Sequence, residues 1–239
     1  MTERPKEDSS LKSGRIGGTR AIKILDILEE TYPDAKCGLE FNTPFQLLVA
    51  TMLSAQSTDR TVNRVTEGLF ERYPDLDSFL TLTREQLEQE IREIGLYHSK
   101  AKNILAMCRE LVTRFSGQVP ATLEELTSLP GVGRKTANVV LSNAFNIPAL
   151  AVDTHVLRVS NRIGLARSDR PDQTESQLTN LIPRDRWIKA HHLLIWHGRR
   201  TCAARNPKCE ICSIVAYCEF YKKNIELKKD KICQSNICQ

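Results

Sequence analysis

Apolar residues recur along this chain at helical spacing almost throughout, and no long segment alternates apolar with polar residues as a half-buried strand would. That pattern restricts the fold class to all-α. Arg20 to Tyr32 carries Ile22, Leu25, Ile27 and Leu28 close to a helical period. Thr43-Pro44 reads as an N-cap followed by proline at the first helical position. The segment after it, Phe45 to Leu53, is apolar on nearly all sides and is expected at the centre of the fold. Thr58 to Tyr73 is expected to turn Val62, Val65, Leu69 and Phe70 inward. Thr83 with Gln86 and Thr122 with Glu125 have the spacing of capping boxes. Further helices are expected at Ile104 to Phe115, Arg134 to Phe145, Thr154 to Ile163, Gln173 to Ile182 and Trp187 to His197. There is no low-complexity segment and no repeat of solenoid period.

With 239 residues and 41% apolar composition, the chain has material for one large domain or two small ones. No apolar run approaches the roughly 18 residues needed to cross a bilayer. Met1 to Gly18 is polar and charged and lacks the apolar core of a secretory signal, so a cytoplasmic location is expected, beside the nucleoid if the source is bacterial. The net charge of +5 is compatible with nucleic acid without establishing it. Its distribution says more. Arg184, Arg186, Lys189, Arg199, Arg200, Arg205 and Lys208 stand against a single acid, Asp185, in one stretch that also contains clustered cysteines. That stretch reads either as a solvated basic face or as a phosphate contact. No Walker loop, dinucleotide fingerprint or Cys/His protease pair is present.

Leu129-Pro130-Gly131-Val132-Gly133-Arg134-Lys135 sits between two helical patterns. Proline and paired glycines make a tight connection, and glycine can take positive φ and leave backbone N–H groups unobstructed. The N-terminal end of the helix starting near Arg134 could then bind a phosphate without base contacts. An ordinary turn between packed helices would account for the same residues. Lys135 could contact phosphate, or it could be a nucleophile. An amine attacks a sugar carbon only when deprotonated, a state that burial or a neighbouring cation favours. Asp153, in Ala151-Val152-Asp153-Thr154-His155, precedes a helix and suits an N-cap. It could also stabilise positive charge on a sugar or take up the amine's proton.

Cys202, Cys209, Cys212 and Cys218 are spaced C-x6-C-x2-C-x5-C. Four thiolates in a short stretch can hold tetrahedral zinc or a 4Fe–4S cluster. Arg205 and Lys208 lie inside the first gap, where a closed loop would present them to phosphate. Cys37, Cys108, Cys233 and Cys238 fall outside the pattern. Cys108 suits a core position, and Cys233 and Cys238 lie in a lysine-rich tail.

The string Leu129 to Leu141, LPGVGRKTANVVL, closely resembles the helix-hairpin-helix of the endonuclease III family of DNA glycosylases. LSAQSTD (Leu53 to Asp59), AVDTHVLRV (Ala151 to Val159) and the cysteine spacing resemble the same family, over about Arg20 to Tyr221. The resemblance implies two helical domains flanking a DNA-binding cleft. One is a six-helix barrel of about 37–147 with the helix-hairpin-helix at about 122–145. The other, 19–36 plus 148–221, is an iron–sulfur cluster domain, with 1–18 and 222–239 as flexible tails. It implies a monomer that acts on double-stranded DNA containing damaged pyrimidines or abasic sites. Lys135 is then the nucleophile and Asp153 its assistant, facing each other across the cleft. Gly131, Gly133 and Arg134 hold DNA backbone. Gln56 is the residue inserted into the helix, and Leu96, in IGLYHSK, is a wedge near the opposite strand. Asp59 is a second acid near the site, and the cysteines hold 4Fe–4S. From the residues alone, Gln56 is a polar helix-end residue, Leu96 a core leucine and Asp59 a first-turn acid. Lys100 could contact backbone or solvent, and His155 could be packed or exposed. Three other readings weighed against this one are a mispair-type adenine glycosylase, a non-catalytic helix-hairpin-helix DNA-binding protein, and an iron–sulfur redox regulator.

Overall fold

The computed structural model describes residues 9–224, with side chains from Gly17 onward. In chain order its helices are α1 (Ser9–Thr31), α2 (Pro44–Leu53), α3 (Asp59–Arg72), α4 (Leu76–Leu80), α5 (Arg84–Glu90), α6 (Tyr97–Phe115), α7 (Leu123–Thr127), α8 (Arg134–Ala144), α9 (Thr154–Ile163), α10 (Pro171–Leu181) and α11 (Trp187–Arg200). No strand occurs among the described residues. No helix among them is long and apolar enough to cross a membrane.

The helix starts follow local chemistry. Thr43 Oγ1 accepts from the Gln46 N–H with Pro44 at the first position of α2, and Thr83 and Gln86 close a full capping box on α5. At α7 only half of the expected box forms. Thr122 caps the Glu125 N–H, but its hydroxyl donates to the Glu125 carboxylate at 2.7 Å. The glutamate is therefore spent on the side chain of the cap. Sequence periodicity starts the first helix at Arg20, yet α1 begins at Ser9 and runs through Gly14, Gly17 and Gly18. A Cβ on Gly17 would lie 3.0 Å from Leu181 Cδ1, so a residue that weakens the helix locally permits close packing on α10.

The chain forms two compact units. One is Cys37–Ala151, and the other joins the two flanking stretches of chain. In the first, α2 is buried along nearly its whole length and packs against α3, α6 and α8, as its all-round apolar sequence requires. Phe79 is fully buried and meets Phe45 edge-on at 5.2 Å between ring centroids. Cys108 is also in this core, and burial pushes its thiol up to about 12. Ala149 packs into the same core, so the unit extends past residue 147. In the second unit, α11 packs chiefly on α9, and α1 packs on α10 and α11. Arg186 bridges Asp26 at 3.0 Å and Glu29 at 3.1 Å, and Lys189 reaches Glu29 at 3.6 Å. Arg200 stacks over Trp196 at 4.0 Å. Part of the basic stretch therefore holds the unit together. Cys233 and Cys238 lie outside the described residues.

Candidate active site and thiol pocket

Within Cys37–Ala151, the loop between α7 and α8 uses its two glycines differently. Gly131 has φ 76, and a Cβ there would fall 2.8 Å from Asn103 Cβ and 3.0 Å from Met52 Cε. Conformation and space both require glycine. Gly133 takes φ −91 as the N-cap of α8, and a Cβ there would meet nothing within 4 Å. The expected positive φ is thus confined to Gly131. Gly133 instead leaves the first turn of α8 uncovered, where main-chain N–H groups lack intrahelical partners. Arg134 and Lys135 are exposed on that turn. The Lys135 side chain makes no hydrogen bond or ion pair with any described residue.

Four non-glycine residues of the same unit, Gln56, Leu96, Ser116 and Asn146, stand in the left-handed region. Gln56 follows α2 with φ 57, and Leu96 precedes α6 with φ 60. Leu96 is 58% exposed, which excludes the core-leucine reading that its residue type suggests. Lys100, one turn into α6, is buried. Its Nζ donates to Leu53 O at 2.8 Å and Ala55 O at 2.5 Å, and burial pushes the ammonium below the ordinary lysine range. It therefore contacts backbone of its own chain. Asp59 is the half-buried first residue of α3, a place that the helix dipole alone would favour.

In the other unit, Asp153 is the N-cap of α9. Its Oδ1 accepts from the N–H groups of His155 and Val156, both at 2.8 Å. Those bonds fix the plane of the carboxyl group, and Oδ2 makes no hydrogen bond with a described residue. His155 is half-buried, and desolvation lowers its pKa.

Cys202, Cys209, Cys212 and Cys218 line one pocket of this unit, with Ile163, Val215 and Phe220 among its walls. Among the described residues no three His, Cys, Asp or Glu side chains close on a point as a single-ion site would. Two residues of α9 brace the loop. Arg162 donates to Ala203 O at 2.7 Å and Ala204 O at 2.9 Å, and its Nη1 lies 3.5 Å from Cys202 Sγ. Arg158 donates to Gly198 O at 2.8 Å and Cys202 O at 3.1 Å. His197 sits 3.7 Å from Cys212 Sγ through Nε2, and its Nδ1 meets the Tyr32 hydroxyl at 3.1 Å. The cysteine motif in the sequence does not mark these residues. Their trace is the pair of arginines four apart in Arg158-Val159-Ser160-Asn161-Arg162, which places both on one helix face. Arg205 and Lys208 are exposed on the braced loop.

A tight glycine connection feeding an uncovered helix start defines a class. The family described as the HhH-GPD superfamily base excision DNA repair protein matches residues 49–184. Endonuclease III of Synechocystis sp. is 50% identical over 200 residues, which are 83% of this chain and 91% of the relative. Endonuclease III of Escherichia coli (strain K12) is 44% identical over 204 residues, 85% of this chain and 97% of the relative. The solved structure of a trapped endonuclease III–DNA covalent intermediate aligns with a TM-score of 0.83 at 45% identity, covering 87% of this chain and 98% of that one. The chain belongs to the endonuclease III family.

Proposed function

We propose that the protein removes oxidised or ring-damaged pyrimidines from double-stranded DNA through Lys135 and then nicks the strand at the abasic site. It is a base-excision-repair DNA glycosylase and AP lyase. What carries the reading is Lys135, an exposed amine with no partner among the described residues, on the first turn of α8 behind the glycine connection. An endonuclease III of similar sequence has been trapped on DNA as a covalent intermediate, the kind of species an amine nucleophile forms.

The steps follow from the groups. A stacked base is shielded, so the damaged nucleotide must leave the duplex, with Gln56 and Leu96 filling the gap. Lys135 Nζ bonds to C1′ as the glycosidic bond breaks and the base leaves with the bonding pair. Asp153 stabilises the positive charge on the sugar and takes the proton released by the amine. Opening of the sugar ring leaves an imine between Nζ and C1′. Loss of a C2′ proton then expels the 3′ phosphate by β-elimination. Gly131, Gly133 and Arg134 hold a phosphate at the start of α8, and Asp59 is a second acid near the reacting sugar.

The thiol pocket supports a 4Fe–4S cluster on Cys202, Cys209, Cys212 and Cys218. Burial raises the pKa of Cys209, Cys212 and Cys218, and the neighbouring thiolates raise it further, so a cationic centre would favour the deprotonated form of these three. A bound cluster supplies four-point attachment of the loop and one-electron redox capacity. The loop then presents Arg205 and Lys208 to phosphates flanking the lesion. Replacing either by alanine should weaken DNA binding and lower the slope of log affinity against log salt by about one. An unchanged slope in both variants would remove these residues from the interface. We place the protein's work in the cytoplasm, beside the nucleoid if its source is bacterial.

The direct assay is single-turnover cleavage of a duplex carrying one oxidised pyrimidine. Wild-type protein should release the base and leave a nick 3′ to the site. Intact strands on that duplex and on a duplex with an abasic site would refute the reading.

A further inference from the structure

Lys100 has no part in the steps above, yet it is a buried cation with two specific partners. The carbonyls it bonds, Leu53 O and Ala55 O, are at the C-terminal end of α2, where no helical N–H remains to bond them. Ala55 directly precedes Gln56, and the Lys100 N–H donates to Leu96 O at 3.1 Å. One residue is thus tied through its side chain to the turn that carries Gln56 and through its main chain to the residue that opens α6. The two loops also abut, since a Cβ placed on Gly95 would lie 3.7 Å from Gln56 O. Gln56 and Leu96 are both non-glycine residues in the left-handed region, which persists only where the surroundings over-determine the backbone. A buried ammonium makes a strong tie of this kind, because it cannot give up its acceptors without being left charged and unpaired.

We infer that Lys100 is a positioning residue that sets Gln56 and Leu96 side by side for entry into the duplex, an inference that rests on the reading of those two residues given above. It touches neither the lesion nor the reacting atoms. Its effect is confined to substrates in which a stacked duplex has to be opened.

The test compares Lys100→Met with wild type, both as cluster-containing full-length protein, on two substrates. Excision of an oxidised pyrimidine from duplex DNA should fall by about tenfold or more, since small misplacement of positioning groups is costly. Cleavage of an abasic site in single-stranded DNA has no stack to enter and should stay within about twofold of wild type. Adding Lys100→Met to the Gln56→Ala, Leu96→Ala double variant should lower duplex excision no further, because all three act through one event. Equal losses on both substrates, no loss on duplex, or losses that multiply would each overturn the inference. If Gln56→Ala and Leu96→Ala themselves leave duplex excision unchanged, the underlying reading fails as well, whatever Lys100→Met does. Should Lys100→Met not yield folded protein, Lys100→Gln keeps a donor with less reach. Amide exchange at Gln56 and Leu96 should then quicken while that of α8 stays as in wild type, and unchanged exchange at those two residues would overturn the inference.

Discussion

Asp153 carries two kinds of interaction in one carboxyl group. Oδ1 is occupied by the N–H groups that begin α9, and Oδ2, which makes no hydrogen bond with a described residue, is the oxygen that the proposed chemistry would use. The two roles separate by substitution. Asparagine caps a helix about as well as aspartate but carries no charge, whereas alanine does neither. Asp153→Asn should unfold in denaturant at nearly the wild-type midpoint yet excise about 100-fold more slowly, given the usual size of acid–base effects. Asp153→Ala should lose as much rate and also about 1 kcal/mol of stability through the lost cap. A near-normal excision rate in Asp153→Asn would leave the residue only its cap. The cap itself was legible, because an aspartate before a helical pattern is a local signal. The exposure of Leu96 was not legible from its residue type, since hydrophobicity alone places a leucine inside and only the family resemblance made it a wedge. The left-handed backbone turns it outward.

The loop between α7 and α8 shows what a motif conveys and what it conceals. Its two glycines look equivalent in the sequence. The structure makes Gly131 a conformational necessity and Gly133 a matter of open space. Gly131→Ala should therefore lower stability by about 1–2 kcal/mol from the left-handed backbone alone, with the contact to Asn103 adding to it. Gly133→Ala should melt close to wild type and bind duplex DNA more weakly, because the added methyl projects toward the face proposed to take phosphate. Thermal melts and binding titrations on both variants check the pair, and a large stability loss at Gly133 with unchanged affinity would reverse the assignment. The starts of α2, α5 and α7, marked by Thr43-Pro44, Thr83 and Thr122, were legible for the same local reason, whereas the Asp75 cap of α4 and the Pro171 start of α10 were passed over. The N-terminal extent of α1 was not legible, because Gly17 is stabilised there by packing on α10 from far along the chain.

On the scale of the molecule, the class of fold followed from periodicity alone, while its assembly did not. No local rule says that α1 joins α10 and α11 across more than a hundred residues, or that Arg186 and Lys189 are drawn to Asp26 and Glu29. The composition of the thiol pocket was legible in the cysteine spacing. Its bracing by Arg158 and Arg162 was not, because charged residues four apart on a helix ordinarily face solvent. The central claim is that Lys135 joins covalently to the sugar. Borohydride added during reaction with an oxidised-pyrimidine duplex reduces an imine to a stable amine and should yield a protein–DNA adduct with wild-type protein. Lys135→Ala, with its DNA affinity intact, should yield none. An adduct that forms equally in Lys135→Ala, or none in wild type while the strand is still nicked, would contradict the account.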